Sequence, residues 1–247
     1  MSATTAIGII CKVPEPGKSK TRLRGLIEGA DAAALSAAFI RDVAGSIEAL
    51  PEALGRKAYA VYAPVGSEAA LQAILPATFD LLLQADCNLG AVLREAALAL
   101  VTAGHDGAIL VNSDSPTLPT SLLADAVASL RAEGDRVVLG PAIDGGYYLI
   151  GLKRAHDALF QDIPWSTSEV LARTVERAAA IGLPVTMLPT WYDIDEPETF
   201  AILEAELEGR PPAFAPPGLT GASAPATRSF LQGWSARPNP ADAVAAR

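Results

Sequence analysis

Lys12, Lys18, Lys20, Arg22 and Arg24 fall within the stretch Cys11 to Arg24, in a chain whose formal net charge is -9. Pro14, Pro16 and Gly17 interrupt the same stretch, and the apolar run Ala6 to Ile10 precedes it. A stiffened loop with several cations, set between a strand and a helix, suits a ligand with several negative charges, such as the phosphates of a nucleotide. Lys20 and Arg22 are the expected neutralising groups, with Lys12 beside them and Lys18 and Arg24 as bystanders. Pro14 stiffens the loop, and Gly17 lets the backbone approach the ligand. The motif is not a Walker A loop, which needs Gly where Lys12 stands, and no G-x-G-x-x-G follows the first apolar run. A solvated basic loop has the same composition, so the partners of a phosphate site must be sought elsewhere.

Two groups of carboxylates qualify. Asp114 lies in Asn112-Ser113-Asp114-Ser115-Pro116, directly after the apolar run Gly107 to Val111. Asp193 and Asp195 lie in Asp193-Ile194-Asp195-Glu196-Pro197. One or two such carboxylates, with phosphate oxygens and water, make a Mg²⁺ (or Mn²⁺) site. The alternatives are structural: Asp114 can cap the next helix, and Asp195 can sit in the capping chemistry of the last one. A third constellation is Asp144-Gly145-Gly146-Tyr147, where the glycine pair marks a turn and also clears room beside a ligand. Asp144 could then bond hydroxyls or act in acid–base chemistry. Trp165-Ser166-Thr167 precedes a helical stretch in which Ser166 or Thr167 can simply be the N-cap. His105 and His156 sit near no Ser or Cys nucleophile signature, which speaks against a hydrolase triad.

The elements that must position these residues alternate along the chain. Ala6–Ile10, 57–63, 79–84, 107–112, 136–139, 147–152 and 184–188 read as strands. Helical stretches lie between them, the first capped by Asp31 and running to Leu50 with Leu35, Phe39, Val43 and Ile47 on one face. Further helices are expected over 88–103, 119–133, 167–181 and 197–208, with a short one opened by Ser67. This alternation predicts a single three-layer α/β/α domain over 1–208 with a mostly parallel central sheet. Ligands bind off the carboxyl ends of such strands, where the basic loop, Asp114 and the Asp193–Asp195 stretch can meet. Residues 209–247 form a Pro/Ala-rich C-terminal tail with no sustained apolar period, expected to be mobile or loosely docked; Phe230-Leu231 and Trp234 are the exceptions, an apolar trio that could pack on the domain or a second subunit.

Composition narrows the class. Half of the 247 residues are apolar and 19% are charged, as in ordinary globular proteins. The acidic balance argues against nucleic-acid binding, and no apolar stretch of about 18 residues exists to span a membrane. Cys11 and Cys87 are too few for a disulfide framework or a structural zinc site, so a cytoplasmic setting is expected.

Together, Lys12 to Leu23, Asn112 to Leu118, Gly140 to Leu152, Pro164 to Thr167 and Asp193 to Glu198 resemble a known family. It is the bacterial group of glycosyltransferase-A-fold proteins described as uncharacterised glycosyltransferases or nucleotide-diphospho-sugar transferase-like proteins. Two guanylyltransferases of the same fold, acting on 2-phospholactate and on molybdenum cofactor, look like relatives. The resemblance implies a glycosyltransferase-A-like (nucleotide-diphospho-sugar transferase) fold. By it, Asp114 and Asp195 would be the metal pair with Asp193 as a neighbour, and Lys20-Thr21-Arg22-Leu23 the triphosphate-binding end of the loop. Cys87-Asn88-Leu89-Gly90 is similar to a nucleotide-contacting segment, which makes Asn88 a nucleotide-binding candidate. An Arg is often found two residues beyond that Gly, where this chain has Val92. Asp144, Gly145, Gly146 and Tyr147, with Trp165, Ser166 and Thr167, would face the acceptor or sugar.

The expectation is a Mg²⁺-dependent transferase that uses a nucleotide and a small-molecule acceptor, with Asp114, Lys20, Arg22 and Asp144 in the catalytic roles. Nucleotidyl transfer to a phosphorylated acceptor, releasing pyrophosphate, is slightly favoured by the cations of the loop. Glycosyl transfer from a nucleotide-diphospho-sugar is the alternative, and a non-catalytic nucleotide-binding module is the reading from another class. A homo-oligomer is left open.

Overall fold

The computed structural model describes residues 4–235. Its strands are β1 (Thr5–Lys12), β2 (Arg56–Ala63), β3 (Asp80–Leu83), β4 (Gly107–Asn112), β5 (Val137–Pro141), β6 (Tyr147–Leu152) and β7 (Val185–Met187). Its helices are α1 (Gly29–Glu48), α2 (Glu68–Gln72), α3 (Leu89–Thr102), α4 (Thr120–Arg131), α5 (Val170–Ala180), α6 (Pro197–Leu207) and α7 (Pro225–Ser235). The strands form one seven-stranded sheet in the order β3-β2-β1-β4-β6-β5-β7. All pairings are parallel except those of β6, which runs antiparallel to both β4 and β5.

The side-chain alternation of β1 shows why helices must cover both faces. Ile7, Ile9 and Cys11 are buried in a core with Leu35, Phe39 and Ile47 of α1 and Leu123 of α4. Ala6, two strand positions from Gly8, joins a second core with Leu93 and Leu100 of α3 and Leu110 of β4. The expected three layers and mostly parallel sheet are therefore present.

The topology gathers the candidate residues at one edge. After β1 the chain builds outward through β2 and β3, then returns to place β4 on the other side of β1. The crevice between the carboxyl ends of β1 and β4 is thus a topological switch point. β5 and β7 run in the same direction as β4, so the turn joining β5 to β6 opens at that same edge, as does the segment after β7. The β5–β7 alignment continues past the strands: the Trp191 N–H donates to the Pro141 carbonyl at 3.0 Å, and the Ile143 N–H to the Trp191 carbonyl at 3.2 Å.

Several boundaries differ from the sequence reading. α1 starts at Gly29, so Asp31 lies in its first turn rather than at its cap. α5 starts at Val170, and Thr167 instead closes the preceding turn by donating to the Pro164 carbonyl at 2.7 Å. The larger correction concerns the C-terminal segment. Residues 210–235 pack on the domain: Phe214, Leu219, Phe230, Leu231 and Trp234 all lie against the main core. Trp234 meets Phe200 edge-on at 6.3 Å, and Phe214 meets Trp191 at 6.2 Å. Asp42 of α1, only 5% exposed, accepts from the N–H groups of Ala226 and Thr227 at 2.9 and 2.7 Å. These are orphan donors in the first turn of α7, so a buried carboxylate on one helix caps another. The rest of the expected tail lies outside the described residues.

Asp42→Ala should leave those two donors unpaired and loosen α7 from α1. We expect a stability loss of about 1–3 kcal/mol in urea unfolding, together with faster proteolysis within 210–235 than in the parent protein.

Candidate functional site

Lys20 is the organising residue of the site. It has left-handed backbone torsions (φ 49°, ψ 42°), an uncommon state for a non-glycine residue that surrounding contacts must hold. Its carbonyl accepts from the Leu23 N–H at 3.0 Å, and its ammonium group makes further contacts. Lys20 Nζ lies 2.5 Å from Asp114 Oδ1 and 3.2 Å from Asp195 Oδ1, and donates to the Ile194 carbonyl at 2.9 Å. It also sits 5.1 Å from the centre of the Phe39 ring. The Lys20 side chain is 4% exposed, whereas those of Asp114 and Asp195 are 31% and 41% exposed. A buried cation is tolerable only when its donors are paired, and here three oxygens and a ring face do that.

The structural alternatives for the two aspartates are not what the chain uses. The turn after β4 is closed by the Leu118 N–H donating to the Ser115 carbonyl, and α4 is preceded by Pro119 rather than capped by Asp114. At α6 the Thr199 hydroxyl accepts from the N–H groups of Asp195 and Glu196, and the Asp195 carboxylate turns to Lys20 instead. The two segments are stitched to each other as well. The Ile194 N–H donates to the Asp114 carbonyl at 2.9 Å, and the Ser115 hydroxyl to the Tyr192 carbonyl at 2.7 Å.

Around this pair opens a cleft of about 920 Å³. Lys12, Lys18, Lys20, Arg22, Asp114 and Asp195 all line it. Lys18, expected as a bystander, reaches the cleft but pairs with Glu15 at 2.6 Å. Arg22 is 62% exposed and only loosely held, 3.8 Å from Asp195 Oδ2. Val65, Leu83 and Leu89 also line it and are among the most exposed large apolar residues. The cleft thus combines charged and apolar side chains.

Not every expected residue comes to the cleft. Asn88 is committed to the helix, its side chain accepting from the Ala91 N–H at 3.0 Å as the N-cap of α3, and it does not line the cleft. Pro14 and Gly17 lie in the loop but outside the cleft lining, and so does the Asp144–Tyr147 turn. That turn is built for close approach: Gly145 has φ +89°, and a Cβ there would fall 2.2 Å from the Ser168 carbonyl oxygen. Asp144 accepts from the Gly146 N–H at 2.8 Å. Tyr147 stands edge-on to Trp165 at 6.5 Å, and a Cβ on Gly90 would meet the Trp165 indole at 2.5 Å. The two exposed residues Ser166 and Thr167 follow, Ser166 with a left-handed φ of 64°. The expected acceptor group therefore forms one cluster that touches the start of α3.

Asp193 joins the carboxylates electrostatically. Burial first, then the charges of Asp195, Asp144 and Asp114, push its carboxyl up to about 7. Beneath the site, burial and then Asp114 push the Cys11 thiol up to about 12, which makes it a packing group rather than a nucleophile. Among the described residues no three His, Cys, Asp or Glu side chains converge as a ready metal cage, so a cation here would take two carboxylates and draw its other ligands from substrate and water. One lining residue gave no signal in the sequence. Gln84 donates from Nε2 to the carbonyls of Cys11 and Val61 at 3.0 and 2.7 Å, fixing the cleft floor across β1 and β2.

The model of the family described as "Uncharacterized protein conserved in bacteria (DUF2064)" matches residues 46–167. Among solved structures, the chain is similar to a protein of Desulfovibrio desulfuricans G20 provisionally named a nucleotide-diphospho-sugar transferase. The two are 28% identical over 94% of this chain and 95% of that one, with a TM-score of 0.78. The chain has the nucleotide-diphospho-sugar transferase fold. More distant similarities agree on this fold. CMP:2-keto-3-deoxy-manno-octonic acid synthetase complexed with CTP is 14% identical over 82% of this chain and 98% of that one, TM-score 0.53. 4-Diphosphocytidyl-2C-methyl-D-erythritol synthase of Anaerococcus prevotii is 9% identical over 83% and 96%, TM-score 0.54. No curated protein matches the chain. The resemblance read from the sequence therefore holds, and the chain shares the fold of a superfamily of nucleotide-using transferases. Among the described residues no helix is long and apolar enough to cross a membrane.

The raised carboxyl of Asp193 has a measurable consequence. Its native state holds a proton that the unfolded chain releases between the ordinary carboxylate value of 3.8 and about 7, so its contribution to stability is lost as pH rises through that window. Asp193→Asn should therefore gain stability over the parent as pH rises from 4 to 8 in metal-free buffer, by at least about 1 kcal/mol at pH 8. Urea melts at the two pH values measure it; equal pH dependence in both proteins would show that Asp193 titrates as an ordinary surface carboxylate.

Proposed function

We propose that this chain is a divalent-metal-dependent transferase that takes a nucleotide in the cleft and passes part of it to a small-molecule acceptor. The observation that carries the reading is the lining of the cleft: cations and a carboxylate pair together with exposed apolar side chains. Phosphates need the first and a base or ribose face suits the second. Lys12, Lys20 and Arg22 would neutralise phosphate oxygens, with Gly17 and Pro14 shaping the loop and Asn88 ordering the start of α3 beside it. Asp114 and Asp195 suit Mg²⁺ or Mn²⁺: both are oxygen donors, both face the cleft, neither is spent on a helix cap, and together they already hold one positive charge. A metal bound there would offset the charge that develops on the leaving group.

The chain's own residues would bind, orient and exclude water rather than form covalent intermediates. Asp144, Gly145, Gly146, Tyr147, Trp165, Ser166 and Thr167 would face the acceptor, with Asp193 behind them. In the first reading, nucleotidyl transfer, an acceptor oxygen attacks the α-phosphorus of a nucleoside triphosphate. A bond from that oxygen to phosphorus forms, the bond to the β-phosphate oxygen breaks, and pyrophosphate leaves. The number of cations along the loop favours it. In the second, an acceptor oxygen attacks the anomeric carbon of a nucleotide-diphospho-sugar and a nucleoside diphosphate leaves; the provisional name of the 28%-identical protein favours it.

A thermal-stability screen with the common nucleoside triphosphates and nucleotide sugars, each with and without Mg²⁺, tests the reading by mass action. Stabilisation by a triphosphate with Mg²⁺ is expected; stabilisation by nucleotide sugars alone would select the second reading, and none by any nucleotide would overturn both. With the substrate found, Asp114→Ala should lower turnover by roughly 100-fold or more while leaving the fold intact.

A further inference from the structure

Lys20 cannot serve two partners at once. Its ammonium is nearly fully buried and spent on Asp114, Asp195 and the Ile194 carbonyl, the same two carboxylates that the proposed metal would use. A divalent ion arriving alone would have to displace that ammonium and leave it buried without an anion, a loss of the size seen when one partner of a buried pair is removed. In return it would find two carboxylates and no third His, Cys, Asp or Glu among the described residues. A phosphate ligand changes this balance, because Lys20 also lines the cleft and its ammonium can move to phosphate oxygens.

We infer that Lys20 is the built-in counter-ion of the carboxylate pair, and that divalent metal enters this site only together with a polyphosphate that takes over the ammonium. The inference rests on the metal–nucleotide reading above and adds a coupling to it. Metal and phosphate ligand each raise the affinity for the other, as reciprocity of binding requires. Arg22, exposed and 3.8 Å from Asp195, cannot substitute for Lys20 in the apo state, since a surface cation at that distance is largely screened.

The test uses Mn²⁺ as the metal and inorganic pyrophosphate as the phosphate probe, on the full chain. Electron paramagnetic resonance of free Mn²⁺ measures its affinity for the protein alone, and water proton relaxation reports protein-bound Mn²⁺ when pyrophosphate is present. Wild type should bind Mn²⁺ weakly by itself and clearly with pyrophosphate. Lys20→Met should bind Mn²⁺ alone at least about tenfold more tightly, and adding Asp114→Asn to it should abolish that gain. Wild type that binds Mn²⁺ alone as tightly as with pyrophosphate overturns the inference, and this measurement stands even where Lys20→Met does not fold. A folded Lys20→Met with no gain also overturns it. If nucleotides still stabilise the protein in either case, the transferase reading survives; no protein-bound Mn²⁺ under any condition overturns both.

Discussion

A lysine ammonium held between two aspartates ties this molecule together at the edge where its chemistry would occur. Lys20 belongs to the loop after β1, Asp114 to the turn after β4, and Asp195 to the segment after β7. A buried cation must be paired, so the loop cannot leave the cleft without exposing two carboxylates or stranding a charge. The left-handed backbone of Lys20 sits where the loop turns, its carbonyl accepting from the Leu23 N–H at 3.0 Å. Further bonds brace the contact from behind: Ile194 to Asp114, Ser115 to Tyr192, and Thr199 to the backbone of Asp195.

The sheet makes that contact possible. Parallel order places the ends of β1, β2 and β4 on one edge, and β5, antiparallel to β6 as β4 is, runs in the same direction as β4 and ends there too. Asp144 and the glycine pair follow β5 and so share an edge with Asp114, and the antiparallel β6 lets a short turn make the connection. The docked C-terminal segment contributes from below. Phe214 packs on Trp191 and Tyr192, the residues that lead into Asp193 and Asp195. This docked segment therefore helps to hold the site's acidic segment, 193–195, in place.

Much of this was legible in the amino-acid sequence because it depends on local pattern. β-branched runs and four-residue apolar spacing mark β1, β4 and α1, and Asp114 is conspicuous as a carboxylate at the end of a central strand. What could not be read locally depends on partners far along the chain. The ammonium of Lys20 finds Asp195 across 175 positions, and Asp42 caps α7 across 184. That cap, with the apolar contacts of Phe214, Leu219, Phe230, Leu231 and Trp234, docks residues 210–235 on the domain. Gln84 is a further case, with its two carbonyl partners on neighbouring strands. At Asn88 the structure adds a local role, its side chain accepting from the Ala91 N–H at the start of α3.

The most direct test of the account is a crystal structure of the protein grown with Mn²⁺ and the nucleotide that stabilises it most, with anomalous scattering to locate the metal. The account predicts an anomalous peak bound by Asp114 and Asp195, phosphates along Lys12 to Arg22, and the base against Val65, Leu83 and Leu89. A nucleotide bound outside this cleft, or phosphates in it with the metal held by neither aspartate, would contradict it.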